Sequence, residues 1–175
     1  LYPTSDSDMA LFITLWPDKY TPSTITSEDC TMTRKIALIT GASRGLGRSA
    51  ALHLAAQGVD IIGTYHSQAD EAQAVLEQIE QWGGRAAMLK LDVSQSASFD
   101  AFVEEVGGAL KRVFARDDFD FLINNAGIGI HASFAETSEA QFDQLVAIQF
   151  KGPFFLTQKL LPLIRDGGRI LNISS

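Results

Sequence analysis

One stretch decides the fold of this chain: Lys35-Ile-Ala-Leu-Ile-Thr-Gly-Ala-Ser-Arg-Gly-Leu-Gly47. Its unbroken apolar run, Ile36 to Ile39, predicts a parallel strand that is buried on both faces. Apolar residues at helical spacing follow from Leu46 and end at Gly58, which predicts a helix. The glycines therefore lie in a strand-to-helix turn, where outward-pointing main-chain N–H groups form an anion site.

Each glycine of this turn has a separate expected role. We interpret Gly41 as allowing the tight turn, Gly45 as letting a pyrophosphate approach the main chain, and Gly47 as letting the helix pack closely. The spacing of three residues and then one differs from the common dinucleotide-binding pattern. Taken alone, the glycines also fit a purely structural turn.

Strand and helix patterns alternate along the rest of the chain. Strands are predicted at 59–65, 86–93, 119–123 and 169–174, and helices around 75–82, over 99–114 and from 139 to about 163. Ser138 and Gln141 predict a capping box at the start of the last helix, and Pro153 predicts a kink within it. The alternation predicts an α/β fold with a doubly wound, Rossmann-like parallel sheet of five strands.

Composition limits the classes of function. The chain is 46% apolar and 20% charged with a net charge of −7, which suits one globular domain. Because no Lys-Arg cluster occurs, we expect no nucleic-acid or anionic membrane partner. The single cysteine, Cys30, forms no internal disulfide and favours a reducing, cytoplasmic location. No apolar run reaches the roughly 18 residues of a membrane span, and no metal-ligand spacing occurs.

Residues 1–31 differ from the remainder in composition. They are rich in Ser, Thr, Pro and Asp and show no sustained periodicity. We expect them to form a disordered extension, and we expect the domain to occupy residues 32–175.

Four motifs in order resemble the short-chain dehydrogenase/reductase family. The first is Thr40-Gly-x-x-x-Gly-x-Gly47, and the next two are Leu91-Asp92-Val93 and Asn124-Asn125-Ala126-Gly127. The fourth, Asn172-Ile173-Ser174-Ser175, follows Gly167-Gly168-Arg169-Ile170. The resemblance runs from Met32 to Ser175. A weaker resemblance, in Thr64-Tyr-His-Ser and Phe150-Lys-Gly-Pro-Phe-Phe, points to the 3-oxoacyl-carrier-protein reductases of that family.

The resemblance implies which residues bind the cofactor. In the family, the Asp of the second motif contacts the adenine, and the third motif borders the ribose. The implied cofactor-binding residues are Thr40, Gly41, Ser43, Arg44, Gly45, Leu46, Gly47, Tyr65, His66, Asp92, Val93, Asn124, Asn125, Ala126 and Gly127. A helix cap or turn residue is the alternative interpretation of Asp92.

Charge predicts which cofactor is preferred. Sites that prefer NAD carry an acid roughly 20 residues beyond the glycines, where it binds the ribose 2′-hydroxyl and repels a 2′-phosphate. The second predicted strand instead ends in Tyr65-His66-Ser67. Arg44 is the kind of cation that pairs with a 2′-phosphate, although a solvated surface arginine remains the alternative. We predict NADP, with NAD as the alternative cofactor.

The catalytic residues depart from the family pattern. The resemblance places Ser175 at the serine that positions the substrate carbonyl, and Gln149 where relatives carry an Asn that holds a water of the proton relay. A polar helix residue is the alternative for Gln149. The Tyr-x-x-x-Lys pair, the family's proton donor and its activating lysine, would follow Ser175. We therefore expect the C-terminal part of the enzyme to be missing, and this chain alone to be inactive and prone to aggregate or to need a partner.

Three functions remain open from the sequence. The first is an NADP-dependent oxidoreductase that acts on a small carbonyl or alcohol substrate and forms a homo-oligomer at full length. The second is a non-catalytic NADP-binding protein. The third is an oligomerisation module that uses the long helix from Glu139.

Overall fold

The computed structural model describes residues 34–174, and these form a parallel α/β sandwich. The residues predicted to be a disordered extension, 1–31, and the predicted catalytic Ser175 lie outside the described part. The strands are β1 (Ile36–Ile39), β2 (Asp60–Tyr65), β3 (Ala86–Lys90), β4 (Phe119–Asn124) and β5 (Ile164–Asn172). The α-helices are α1 (Gly45–Ala56), α2 (Ala69–Gln81), α3 (Phe99–Ala109), α4 (Glu139–Val146) and α5 (Gly152–Leu160).

The five strands form one parallel sheet in the order β3-β2-β1-β4-β5. The strand order reverses direction between β1 and β4, because the chain builds outward from β1 to β3 and then returns to the other side. In open α/β sheets this switch point opens the crevice in which ligands bind. The predicted doubly wound, Rossmann-like fold is confirmed.

Strand β1 is the centre of two hydrophobic cores. All four of its residues are completely buried. Ile36 and Leu38 face the core that contains residues of α3 and α5, whereas Ala37 and Ile39 face the core of α1 and α2. Successive strand residues point to opposite faces, so an unbroken apolar run is what a strand covered on both sides requires.

Two predicted strands differ from the observed strands by more than one residue at an end. Strand β3 ends at Lys90 and not at Val93, because Asp92 turns its side chain onto Ser94 and leaves the sheet. Strand β5 runs from Ile164 to Asn172 and not from Arg169 to Ser174. Ile164 pairs with Phe119 and Arg169 pairs with Phe121, so the intervening residues bulge out, and Gly167 within them adopts a φ of 79°.

The predicted kink of the long helix takes the form of a π turn. Residues Ala147–Lys151 form this turn between α4 and α5, and it ends two residues before Pro153. Proline cannot donate a main-chain hydrogen bond, and its ring clashes with the carbonyl four residues earlier, so the irregularity precedes it. The predicted capping box of Ser138 and Gln141 is present at the start of α4. A second π turn, Leu110–Phe114, extends α3.

Candidate functional site

A crevice opens where the carboxyl ends of β1, β2 and β4 meet the loop after β3. Its volume is about 460 Å³, and it lies beside the switch point of the strand order. It is lined by residues of the first three sequence motifs and of the end of β2: Gly41, Ser43, Arg44, Gly45, Leu46, Gly47, Tyr65, His66, Asp92, Val93, Asn125, Ala126 and Gly127. The fold thus brings together most of the predicted cofactor-binding residues.

Two predicted cofactor-binding residues lie behind the crevice wall. Thr40 is 2% exposed and Asn124 is 4% exposed, and neither lines the crevice. The Asn124 amide donates to Thr157 Oγ1 at 3.0 Å and to Asn172 Oδ1 at 2.8 Å, which ties β4 to α5 and β5. These two residues therefore shape the wall from behind.

The glycine turn presents an open side to the crevice and a closed side to the protein. Gly45 adopts a φ of 56°, and a methyl group added to it would meet nothing within 4 Å. A methyl group on Gly47 would instead overlap the carbonyl oxygen of Gly41 and the amide of Asn125. Gly45 leaves room for a ligand at the N-terminus of α1, whereas Gly47 allows the helix to pack against the turn.

Hydrogen bonds from the two residues that follow β4 fix the shape of the turn. The hydroxyl oxygen of Thr40 accepts from the main-chain N–H groups of Asn125 and Ala126, both at 2.9 Å. The Asn125 amide donates to the carbonyl oxygens of Thr40, at 2.9 Å, and Gly41, at 3.2 Å. The first and third sequence motifs therefore hold each other in place.

Replacing Thr40 with Val should destabilise the turn. Valine has the same shape but no acceptor, so two main-chain N–H groups lose their partner. We expect a loss of about 1–3 kcal/mol in the free energy of unfolding, measured by urea denaturation. Thr40→Ser keeps the oxygen and should lose less. A Val variant that is more stable than the Ser variant would contradict this role.

Asp92 is a carboxylate held in one orientation at the rim of the crevice. Its Oδ1 accepts from the main-chain N–H of Ser94 at 2.9 Å and from the Ser94 hydroxyl at 2.7 Å. Burial raises the pKa of Asp92, but the two hydrogen bonds from Ser94 and the charge of His66 outweigh it and lower the pKa below its ordinary value. Asp92 is therefore ionised at neutral pH.

The charges around the crevice are unevenly placed. Arg44 is exposed at the N-cap of α1 and lines the crevice together with Tyr65, His66 and Ser67 at the end of β2. The acid of β2, Asp60, lies at the opposite end of that strand, where it is buried and accepts from Arg85 Nε at 2.9 Å. None of the residues at the end of β2 that line the crevice is acidic.

Gln149 lies in a second, larger cavity. This cavity has a volume of about 880 Å³ and shares the wall Asn125–Ile128 with the crevice. Gln149 Nε2 donates to the carbonyl oxygen of Ile128 at 3.2 Å, so its side chain is turned toward that shared wall. The exposed rings of Phe150 and Phe154 make much of the remaining surface apolar.

Several residues of the crevice were not predicted from the sequence. Thr64 holds the turn, because its hydroxyl accepts from Gly41 N–H at 3.1 Å and its carbonyl accepts from Ala42 N–H at 2.8 Å. Gln144 and Ile148 reach the crevice from α4 and the π turn after it. Their spacing of four residues on one helix face is the signal that could have found them. The other lining residues are Ser67, Gln68, Leu91, Ser94 and Ile128.

Residues 34–174 contain neither a metal site nor a membrane-spanning helix. No cluster of His, Cys, Asp and Glu side chains in this range could hold a metal ion. Among these residues there is also no helix long and apolar enough to cross a membrane.

Comparison with solved structures finds the same fold in proteins whose nucleotide complexes are known. The landomycin C-6 ketoreductase LanV, solved with bound NADP and rabelomycin, is 40% identical with a TM-score of 0.78, over 82% of this chain and 58% of that chain. A short chain dehydrogenase from Burkholderia cenocepacia J2315 in complex with NADP is 33% identical with a TM-score of 0.74, over 82% of this chain and 56% of its own.

Comparison with known sequences points to the same kind of protein as the solved structures do. The tetrahydroxynaphthalene reductase PfmaG of Pestalotiopsis fici is 35% identical over 141 residues, which are 81% of this chain and 49% of that protein. This chain spans about half the length of the curated relatives that it matches. The family model described as short chain dehydrogenase matches residues 35–175. With these motifs gathered at the switch point of a parallel sheet, the chain belongs to the short-chain dehydrogenase family.

Proposed function

We propose that this chain is the cofactor-binding portion of an NADP-dependent oxidoreductase that transfers a hydride between the nicotinamide and a carbonyl or alcohol substrate. The observation that carries the proposal is the crevice at the switch point, which gathers the glycine turn, Asp92 and Asn125–Gly127 on one surface. The alternatives were a non-catalytic nucleotide-binding protein and an oligomerisation module. The similarity to proteins named as reductases favours the oxidoreductase.

The residues of the crevice fit a dinucleotide phosphate. The open side of Gly45 at the start of α1 offers main-chain N–H groups and a helix N-terminus to the pyrophosphate. Arg44 lines the same crevice as the end of β2, which carries Tyr65-His66-Ser67 and no acid. A guanidinium in this position pairs with a 2′-phosphate, and an acid there would have repelled it. NADP is accordingly the proposed cofactor.

The bound nicotinamide would supply the hydride donor or acceptor. The chain's own residues bind and orient it: Asn125, Ala126 and Gly127 form the wall between the crevice and the larger cavity. Gln149 donates to the carbonyl of Ile128 in that wall and thereby holds its position. Ser175 is proposed, from the family resemblance alone, to position the substrate carbonyl.

Arg44 can be tested separately from the rest of the crevice. Replacing it with Gln should weaken NADP binding about tenfold or more, because a charge-assisted hydrogen bond is worth about 1.5–3 kcal/mol, and should leave NAD binding unchanged. The matched control is Arg48→Gln, since Arg48 lies one turn further along α1 and donates to Gln78 outside the crevice. Calorimetric titration measures the affinities of both variants for NADP and for NAD. Tighter binding of NAD than of NADP by the unaltered protein would contradict the NADP assignment.

Turnover separates an oxidoreductase from a protein that only binds nucleotide. The protein isolated from its natural source should oxidise NADPH when a ketone is added. A screen can begin with fused-ring aromatic ketones, because one relative is named for tetrahydroxynaphthalene, and with a 3-oxoacyl thioester, which the second resemblance suggests. Saturable NADPH binding without turnover on any carbonyl would favour the non-catalytic alternative. No nucleotide binding together with stable oligomers would favour the oligomerisation module.

A homo-oligomer in the cytoplasm is part of the same proposal. Phe142, Val146, Phe150 and Phe154 recur at intervals of four residues along α4, the π turn and α5, and all four side chains are exposed. Exposed apolar stripes of this kind mark interfaces in soluble proteins. Light scattering on the isolated protein should give a mass that is a multiple of the protomer mass.

A further inference from the structure

The bulge in β5 exposes an aspartate that is followed by a glycine. The pairing of β5 with β4 skips the residues between Ile164 and Arg169, because the register shifts there. Asp166 and Gly167 lie within this skipped stretch, and both are exposed. Gly167 also adopts a φ of 79°, in the left-handed region that favours glycine. The Asp-Gly pair is therefore on the surface and outside the ladder of the sheet.

The two arginines that flank the bulge are directed to other groups. Arg165 Nη1 lies 3.9 Å from Oδ1 of the buried Asp120. Arg169 Nη1 donates to the carbonyl oxygens of both glycines that follow Asp166. The Asp166 carboxylate is thus left to solvent, although an arginine precedes it directly and another follows the two glycines.

The residue after an aspartate decides whether its side chain can react with the main chain. Ring closure brings the next main-chain nitrogen onto the carboxyl carbon, and a bulky following side chain hinders this approach. Glycine has no side chain and the freest backbone. Asp166 is the only aspartate of the chain that precedes glycine, whereas Asp117, which is 86% exposed, precedes Asp118. Asp117 and Asp166 therefore share exposure but not the following glycine.

We propose that Asp166 is a site of spontaneous conversion to isoaspartate. The main-chain nitrogen of Gly167 attacks the Asp166 carboxyl carbon, Cγ, and a C–N bond forms. One carboxyl oxygen leaves as water, together with the amide proton and the acid proton. Water then adds to the main-chain carbonyl carbon of Asp166 in the five-membered ring and breaks the bond from that carbon to the nitrogen. The chain now runs through Cβ and Cγ, and a free α-carboxylate projects from it. Because one water leaves and one is added, no oxidant or cofactor is needed.

The bulge can absorb the altered backbone. Isoaspartate lengthens the main chain by one methylene, and the stretch that contains it is not paired with β4. The inner side is closed, because a methyl group added to Gly168 would lie 2.7 Å from the carbonyl oxygen of Asp120 and 2.8 Å from Ile164 Cγ2. The extra length is therefore displaced toward solvent at Asp166. We expect the modified chain to stay folded, with its new carboxylate accessible to a carboxyl methyltransferase.

The test follows Asp166 in the folded chain at physiological temperature. Cleavage after lysine yields residues 160–175, in which Asp166 is the only aspartate. The isoaspartyl peptide should appear as a separate chromatographic peak of unchanged mass, whereas deamidation of Asn172 in the same peptide would raise the mass. It should form about tenfold faster or more than any isomer of the peptide 112–151, which contains Asp117. Its rate should rise as the pH falls from about 7 to about 5, because water leaves from the protonated carboxyl.

Two comparisons decide whether the fold leaves the pair free to react. In the folded chain the conversion should run within about tenfold of its rate in a synthetic peptide of residues 160–175, because the bulge imposes little restraint. A larger slowing would overturn the inference. Asp166→Glu keeps the charge but would need a six-membered ring, so the peak should vanish. Persistence of the peak in this variant would assign it to another residue and would also overturn the inference.

Accessibility of the product has its own readout. A carboxyl methyltransferase specific for isoaspartate moves a methyl group from the sulfonium of S-adenosylmethionine to the free α-carboxylate. With radiolabelled S-adenosylmethionine it should label the incubated, folded chain and leave Asp166→Glu unlabelled. A chain that contains the isoaspartyl peptide but is labelled only after denaturation would contradict the outward displacement of the bulge.

Discussion

Gly47→Ala is expected to abolish nucleotide binding and to lower the free energy of unfolding by about 3 kcal/mol. The added methyl group would overlap the carbonyl oxygen of Gly41 and the amide of Asn125. Neither atom can yield, because Gly41 belongs to the turn itself and the Asn125 amide is already bonded to the carbonyls of Thr40 and Gly41. The overlap can be removed only if α1 moves away from the turn. That movement would separate the main-chain N–H groups that would bind the pyrophosphate.

Gly107→Ala is the matched control for this prediction. Gly107 lies inside α3, and a methyl group added there meets nothing within 4 Å. Alanine in a helix interior is favoured over glycine by about 0.5–1 kcal/mol, so this variant should be more stable than the unaltered protein and bind NADP equally well. For both variants, urea denaturation measures the free energy of unfolding and NADPH fluorescence titration measures the affinity for the nucleotide. If Gly47→Ala bound NADP as tightly as Gly107→Ala, the close packing of α1 on the turn would not matter for the site.

The order and type of the elements could be predicted because both faces of the sheet are covered. Burial on both faces requires an unbroken apolar strand, as in Ile36–Ile39, and the covering helices show their buried side at helical spacing, as Phe99, Phe102 and Val106 do. Such patterns are visible in one sequence. Tertiary pairing then decides the strand ends. The predicted start of β5 was wrong because Ile164 pairs with Phe119 before a bulge, and no local sequence pattern indicates that pairing.

The site could be predicted where the chemistry is local to a motif. The glycine turn, Asp92 and Asn125–Gly127 each carry their signal in neighbouring residues, and the fold only had to bring them together. Thr64 was missed because its role depends on its position across from Gly41, 23 residues away in sequence. Gly152 gave no signal for a similar reason: a side chain there would overlap the carbonyl oxygen of Val93, a contact between the loop after β3 and the start of α5.

The largest single loss of stability is expected at the opposite end of the sheet, at Asp120. This carboxylate is 2% exposed, and it accepts from Lys35 Nζ at 2.8 Å, from the main-chain N–H of Ile36 at 2.9 Å and from Arg116 Nη1 at 2.8 Å. It therefore joins β4 to the start of β1. Burial raises the pKa of Asp120, but these hydrogen bonds and the charge of Arg116 outweigh it, so its pKa lies below the ordinary value.

Asp120→Asn should lower the free energy of unfolding by about 3–5 kcal/mol at neutral pH, because it removes the buried anion that Lys35, Arg116 and the Ile36 N–H share, while Arg116 keeps its ion pair with Asp118. The effect should depend on pH in a defined direction. A carboxylate whose pKa is lowered by folding stabilises the protein above its unfolded pKa of about 3.9, and the stabilisation is lost as the pH falls through the folded pKa. The stabilities of the two proteins should therefore differ most near pH 7 and become equal in acid.

The matched control is Asp117→Asn. The Asp117 side chain is 86% exposed and lies 3.6 Å from Lys111, so this substitution should lower the free energy of unfolding by less than about 1 kcal/mol. Urea denaturation at a series of pH values measures all three proteins, and a constant difference between Asp120→Asn and the unaltered protein down to strong acid would contradict the ionic role of Asp120.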